Sequence, residues 1–277
     1  MSVLYVVATP IGNLEDITAR AIRILAEVDL IAAEDARHTS KLLAHLNIST
    51  PITTYHDHNE STASLMLLDR IKKGASIALV SDAGTPLIAD PGYRLVKLAI
   101  EEGVKVIPVP GPSALIAAIS IAGLPSDRFT FYGFLPAKAK AREDFLTRTI
   151  NETGTLVFYE SPHRMVKTIH AFERVFGQDR LMVVARELTK TFEQVVNKPI
   201  GEIRRQIEAG DIVVKGEFVL LLQGRLHTES KLDETVLLEA LLAELPISKA
   251  ADIASRLTGK RKKDLYKIAL AIKENHQ

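Results

Sequence analysis

Five short segments of this 277-residue sequence gather residue types that can do chemistry. They are Thr9–Asn13 (TPIGN), Ser81–Pro86 (SDAGTP), Pro110–Ser113 (PGPS), Glu160–Arg164 (ESPHR) and Arg186–Thr189 (RELT). Three of them carry a carboxylate: Asp82, Glu160 and Glu187. Glycine lets a backbone approach a ligand closely, and proline presets a turn and opens a helix. Turn chemistry alone also explains Pro and Gly in any one of these places. What they lack narrows the ligand. No GxGxxG or GxxxxGK[ST] occurs, and the Gly-rich loops hold no lysine. A di- or triphosphate normally wants backbone cradling plus cations. Backbone N–H groups, small hydroxyls and Asp82 suit a ligand with few negative charges and an apolar body. A nucleoside carrying an amino-acid tail meets that description. Its base can sit against apolar strand ends, and its carboxylate at a helix N-terminus such as Ser113–Ala114. Asp82 can bond its ribose or its α-ammonium.

These segments matter only if the elements around them bring them together. Short β-branched runs at Val3–Thr9, Leu30–Glu34, Ile52–Tyr55, Ile77–Ser81 and Val104–Val109 read as strands, alternating with amphipathic helices. That alternation predicts βαβ units and a mostly parallel sheet, an α/β domain over 1–122. A second series follows, with strands at Phe129–Phe134, Thr155–Glu160, Leu181–Glu187, Phe192–Val196 and Glu217–Gln223. It predicts a second α/β domain over 125–225, with Gly123–Asp127 as the hinge. Ligands bind beyond the carboxyl ends of strands in open parallel sheets, and the five segments fall there. Residues 230–277 carry no strand signal. They predict a helical module of three pieces, separated by Pro246 and Gly259.

Composition closes several classes. Zero cysteines exclude disulfides, iron–sulfur clusters, thiolate zinc sites and a cysteine nucleophile. The N-terminal apolar run has no basic flank and only the length of a strand, so the expectation is a soluble cytoplasmic protein without membrane contact. Net charge is +1, which argues against a surface built throughout for polyanions. The charge is unevenly spread, however: Pro246–Gln277 holds eight Lys or Arg against three Asp or Glu. Lys260, Arg261, Lys262 and Lys263 form a concentrated run. It is either a solvated helix face or a contact for an anion such as RNA. Arg37, His38 and His56 follow the second and third strands and would line a cleft mouth. His56 and His58 stand two apart near acids, but a capped polar loop explains them, and no metal is expected.

The motifs LYVVATPIGNLEDIT, IAAEDARHTSKLL, ALVSDAGTPLIADPG, PVPGPSALIAAISIAGLP, FYGFLP and LVFYESPHR resemble the ordered signatures of the tetrapyrrole-methylase-like (class III) methyltransferases. Within that family they are similar to the branch that 2′-O-methylates a cytidine ribose in the decoding region of small-subunit ribosomal RNA. The resemblance covers nearly the whole chain, the tail included. It implies two α/β domains with S-adenosylmethionine in the cleft between them, and a homodimer. Position by position it implies cofactor contacts at Pro10, Ile11 and Gly12, and at Ser81, Asp82, Ala83, Gly84, Thr85, Pro86 and Ile88. Further contacts are implied at Ser113 and Ala114, and in the second domain at Phe158, Ala185, Arg186, Glu187 and Leu188.

Methyl transfer to a ribose hydroxyl gains from proximity and from a positioned base. Glu160 and Glu187 end second-domain strands and are the base candidates, with His163 at a helix start as a further one. Each Glu can equally cap a helix or pair with an adjacent Arg. Candidate RNA contacts are Arg37, His38 and His56 at the cleft mouth, Lys138, Lys140, Arg142 and Arg164, with Lys260–Lys263 in the tail. Few aromatics argue for recognition of shape and phosphates, hence for an assembled subunit as substrate. Two other functions stay open: methylation of a tetrapyrrole-like small molecule, and RNA-binding assembly without catalysis. Asp82→Ala is expected to weaken S-adenosylmethionine binding in calorimetry, and an unchanged affinity removes Asp82 from the site.

Overall fold

The computed structural model describes residues 2–225 and 234–275. The chain divides into two compact units, Met1–Arg225 and Leu226–Gln277. Among the described residues no helix is long and apolar enough to cross a membrane.

In the larger unit, strands β1 (Val3–Val7), β2 (Leu30–Ala33), β3 (Ile52–Thr54), β4 (Ser76–Val80) and β5 (Lys105–Val109) form one sheet in the order β3-β2-β4-β1-β5. Every pair in it is parallel. Successive residues of a strand point to opposite faces, so a sheet covered on both sides needs apolar runs rather than alternation. Ile77 and Leu79 of β4 pack on one face with residues of α3 (Glu60–Lys72) and α4 (Tyr93–Glu101). Ala78 and Val80 pack on the other with residues of α1 (Ala19–Glu27) and α2 (Ala36–His45). The Thr18 hydroxyl accepts from Ala21 N–H and caps α1 at its start. Beyond β3, Tyr55 is fully buried. Its hydroxyl contacts Ser64 Oγ at 3.0 Å and Glu60 Oε1 at 3.1 Å, and accepts from Leu95 N–H at 3.3 Å. Burial pushes this phenol up to about 12, so it stays neutral.

The second sheet holds β6 (Phe129–Phe134), β7 (Thr155–Glu160), β8 (Leu181–Arg186), β9 (Gln194–Pro199) and β10 (Phe218–Leu222), ordered β6-β7-β10-β8-β9. Only β6 and β7 run parallel, and the other pairs are antiparallel. One face packs under α6 (Ala139–Arg148), α7 (Pro162–Phe176) and α8 (Ile200–Ala209) through Phe158, Val184, Leu220, Phe172 and Ile203. The opposite face presents Val157, Val183, Val219 and Leu221 to α5 (Ala114–Ile121). That helix, sequence ALIAAISI, follows β5 of the first sheet yet packs on the second. The loop residues Ile11 and Ile88, which follow strands of the first sheet, join the same apolar cluster. The stretch expected as a hinge is tied down. Asn197 Nδ2 donates to Ala122 O at 2.8 Å, and Thr155 Oγ1 to Pro125 O at 2.6 Å. β9 lies further along than Phe192–Val196, and Phe192 is exposed in the loop before it.

The described residues of the smaller unit form three helices, α9 (Glu234–Leu242), α10 (Ile247–Thr258) and α11 (Lys262–Asn275). Pro246 precedes α10, and Gly259 closes it in the left-handed conformation. Its core is Leu238, Ala250, Ala251, Ala254, Leu265 and Ala269, in which the alanines let the helices approach closely. The tail start expected at 230 lies outside the described residues.

Tyr55→Phe is expected to cost about 1–3 kcal/mol, because Leu95 N–H and the Ser64 hydroxyl lose a buried partner. A lower urea midpoint with an unchanged slope is the measurement.

Candidate functional site

Three loops at the carboxyl edge of the first sheet are stitched together. Thr9 N–H donates to Gly84 O at 2.8 Å, and Gly84 N–H returns a bond to Thr9 O at 3.0 Å. Thr9 Oγ1 donates to Ser81 O at 3.3 Å, and Thr85 Oγ1 to Pro112 O at 3.0 Å. Gly84 is left-handed, with φ 83°, and a Cβ there would press on Ile11. Further along this loop Leu87 (φ 73°) and Ala89 (φ 69°) are also left-handed. Such backbone is costly for residues with a Cβ and persists only where its surroundings enforce it.

The second sheet brings up its own loops. Glu187 (φ 50°) and Thr189 (φ 67°) follow β8 in the same left-handed region. Lys190 Nζ lies 2.8 Å from Glu187 Oε1 and 2.9 Å from Glu217 Oε2, and Glu217 N–H donates to Glu187 Oε1 at 2.9 Å. The Lys190 stem lies so close to Gly12 that a Cβ there would overlap it. Asn13 N–H donates to Thr189 Oγ1 at 3.2 Å. The β1 and β8 loops thus meet directly.

Between these loops lies a cavity of about 320 Å³. Of the residues expected to hold a cofactor, Ile11, Asp82, Ala83, Gly84, Thr85, Ile88, Ser113, Ala114, Ala185 and Leu188 line it. Pro10, Gly12, Ser81, Pro86, Arg186 and Glu187 are not among the lining residues. Arg186, for example, donates to Lys215 O at 2.7 Å and Phe192 O at 2.9 Å. Phe158 is a correction. It is fully buried on the helix-covered face, stacked against Tyr132 and edge-on to Phe172. A strand alternates its faces, so its neighbour Tyr159 lines the cavity instead. The sequence reading also missed Glu34, Asp90, Phe134, Glu217, Phe218 and Val219, and it did not give Ser161 or Pro162 a cofactor role. Glu34 ends β2, so the strand-end rule could have found it. Asp90 stands too far along its loop for that rule.

The charges in the cavity are of one sign. Glu34, Asp82, Asp90, Glu160 and Glu217 line it, and no lining residue is Lys or Arg. Burial raises the Glu34 carboxyl, with the charges of Asp82, Asp57 and Asp35 adding to it against a bond from Asp82 N–H. Burial likewise pushes Asp90 up to about 6, helped by Glu34, Asp82 and Asp57 and opposed by a hydrogen bond with Ser81. Tyr159, whose oxygen accepts from Leu115 N–H at 3.2 Å, is raised by burial.

The two expected bases are engaged elsewhere. Glu160 accepts from Ser161 N–H at 2.8 Å and Thr168 Oγ1 at 2.6 Å, and faces Arg164 Nε at 3.3 Å. Both oxygens are committed, so Glu160 fixes the turn rather than accepting a substrate proton. Burial would raise Glu187, but bonds from Lys190 and Glu217 N–H, with the Lys190 and Arg186 charges, hold it below the ordinary value. His163 is exposed.

Several expected RNA contacts also change. Arg164 donates to Leu135 O and Pro136 O, which removes it from the phosphate contacts. Arg142 is buried and donates to Ala137 O at 3.3 Å, so it cannot meet RNA either. Lys138 and Lys140 are exposed. Arg37 projects into solvent and holds Asp35 down at about 2 through hydrogen bonds and its charge. His38 is exposed and His56 half-buried, and neither lines the cavity. In the smaller unit Lys260 pairs with Glu234, Arg261 with Asp264, and Lys262 with Asp252, while Lys263 is exposed. No described residues form a group of three or more placed to hold a metal.

Residues 3–204 match the family described as Tetrapyrrole (Corrin/Porphyrin) Methylases, and the chain belongs to that class of methyltransferases. The tail, 229–273, matches the family described as RsmI C-terminal HTH domain. Ribosomal RNA small subunit methyltransferase I of Vibrio cholerae is 52% identical over 97% of this chain and 94% of that protein. The protein of the same name from Escherichia coli O157:H7 is 50% identical over 96% and 94%. Within the class, the chain belongs to the family these relatives represent. A solved diphthine synthase, 15% identical, shares the fold with a TM-score of 0.59 over 80% of this chain and 90% of that one. S-adenosylmethionine is the cofactor. The cavity suits it: carboxylates oppose its positive sulfonium and ammonium, while Ile11, Ile88 and Leu188 offer an apolar wall.

Gly216 has φ 85°, and a Cβ on it would overlap the Glu187 carboxylate. Gly216→Ala is expected to destabilise the protein by about 1–3 kcal/mol, from strain and displacement of Glu187. It should also weaken cofactor binding, both read from melting with and without S-adenosylmethionine.

Proposed function

We propose that this protein transfers a methyl group from S-adenosylmethionine to the 2′-hydroxyl of a cytidine ribose in the decoding region of small-subunit ribosomal RNA. The observation that carries the proposal is the near-full-length match, tail included, to relatives named for action on that RNA.

The bound cofactor supplies a methyl on a positively charged sulfur. The chain's part is placement and exclusion of water. Ile11, Ile88, Ala185, Leu188 and Val219 give the adenine an apolar bed. Asp82, whose Oδ1 already accepts from Asp35 N–H at 2.9 Å, is fixed to meet the ribose or the ammonium. The start of α5 at Ser113–Ala114 turns backbone N–H groups to the carboxylate. Pro10, Gly12, Ser81, Pro86, Arg186 and Glu187 hold these contacts in place.

RNA is gripped outside the cavity. Lys138, Lys140 and Lys263 are exposed and open to phosphates. Arg37, Lys260, Arg261 and Lys262 sit in surface ion pairs, which are weak enough to exchange for phosphate contacts. His38 and His56 follow β2 and β3 at the cavity-bearing edge of the sheet. The substrate is an assembled subunit in the cytoplasm, recognised by shape. The protein acts as a homodimer, and exposed apolar side chains such as Leu65, Met66, Ile100 and Ile116 support such a pairing.

The test is mass mapping of small-subunit RNA from cells with and without the gene. The proposal expects one cytidine ribose methyl to disappear. An unchanged map refutes it. Purified protein should methylate assembled subunits faster than protein-free RNA, and deletion of 230–277 should abolish that activity. A tail-deleted protein that retains full activity points instead to a small-molecule substrate.

A further inference from the structure

Five carboxylates line the cavity, and four accept from a backbone N–H or pair with a cation. Asp82 accepts from Asp35 N–H, and Glu34 from Asp82 N–H at 3.2 Å. Glu160 is held by Ser161, Thr168 and Arg164. Glu217 is paired with Lys190. Asp90 differs. Among the described residues neither a backbone N–H nor a cation sits on its oxygens, and the Ser81 hydroxyl beside it also reaches Ala83 O at 3.4 Å. Left-handed Leu87 and Ala89 flank Ile88, and both Ile88 and Asp90 line the cavity. Gly92 anchors the far end of the loop with φ 139°, packed so tightly that a Cβ would overlap Leu87 and Leu79. The loop is thus held by packing and not by charge pairing.

We infer that Asp90 is the proton acceptor for the ribose hydroxyl in methyl transfer. This rests on the 2′-O reading above. In the step, the O–H bond breaks as the Asp90 carboxylate takes the proton. The freed oxygen pair forms the O–CH3 bond, and the C–S bond breaks with its pair passing to sulfur. Asp90 then returns the proton to solvent. A weakly acidic hydroxyl needs an acceptor whose oxygens are not committed to backbone donors or cations, and among the lining carboxylates Asp90 is the one held by neither.

The groups that face Asp90 are Glu34 at the end of β2, Asp57 after β3, Ser81 and Asp82 after β4, and Tyr159 at the end of β7. All the ionisable ones are acids, and no Lys or Arg lines the cavity to lower its basicity. Asp90, raised to about 6, is an anion above that pH and is neutralised below it. Methyl transfer should therefore fall about tenfold per pH unit below about 6.

The experiment compares wild type and Asp90→Asn in single-turnover methylation of small subunits from pH 5 to 8, with the product resolved into ribose and base methyls. Calorimetry with S-adenosylmethionine and thermal melting accompany it. A rate lowered by about 10²-fold or more in Asp90→Asn, with the acid limb gone, supports the inference. Cofactor affinity should stay within threefold and the melting temperature should hold or rise, since a repelled carboxylate has been removed. A near-wild-type rate in Asp90→Asn overturns it. So does a wild-type rate flat across the pH range, whatever the variant does. A large loss of cofactor affinity makes Asp90 a cofactor ligand instead, which also overturns it. A wild-type product with no ribose methyl refutes the target reading first, and leaves Asp90 no hydroxyl to serve.

Discussion

One apolar layer seats α5 and the loops after β1 and β8 against the second sheet. α5 leaves the first sheet and packs Leu115, Ala118 and Ala122 against Val157, Val183, Val219 and Leu221 of the second. Full burial of each large apolar side chain contributes about 1.5–3 kcal/mol. The bonds between facing loops, such as Asn13 to Thr189, contribute about 1 kcal/mol each. Packing therefore sets the geometry, and the loop bonds refine it. Because α5 begins where β5 ends, seating it on the second sheet brings Ser113–Ala114 to the cavity. Ile11 and Leu188 belong to the same layer, so the β1 and β8 loops are anchored by it too.

The electrostatic design follows from enclosure. Taking carboxylates out of water disfavours their charge, and neighbouring carboxylates add to the cost. Most of the cavity acids offset it with N–H groups or cations drawn from the protein. Those bonds also lock Asp82 to the β2 end and Glu160 to α7. What remains is a wall of carboxylates with no Lys or Arg among the lining residues. A positively charged ligand completes that balance, whereas a polyphosphate would worsen it.

Much of this was legible in the sequence, for a definite reason. Alternating βα units and the strand-end rule pointed to the first sheet's loops, and ten of the cofactor residues implied by the family resemblance line the cavity. The failures share a cause. Phe158 and Tyr159 are adjacent aromatics on a strand buried on both faces, so composition does not say which faces the cavity. Arg142 and Arg164 look like surface cations, but the turn at Leu135–Ala137 needs donors for its carbonyls and takes them from these side chains. Asp90 is brought to the site by left-handed backbone at Leu87 and Ala89, and no residue-type signal marks that conformation in Leu or Ala. The second sheet's mixed pairing likewise depends on long-range contacts that local propensity does not encode.

The absence of Lys and Arg from the cavity wall also bears on turnover. The methyl donor arrives with a positive sulfur, and the spent molecule leaves with a neutral one. The wall of carboxylates attracts the first more strongly than the second. Charge loss at the moment of transfer therefore loosens the product's hold, and the same residues that gather the donor favour emptying the site for the next cycle.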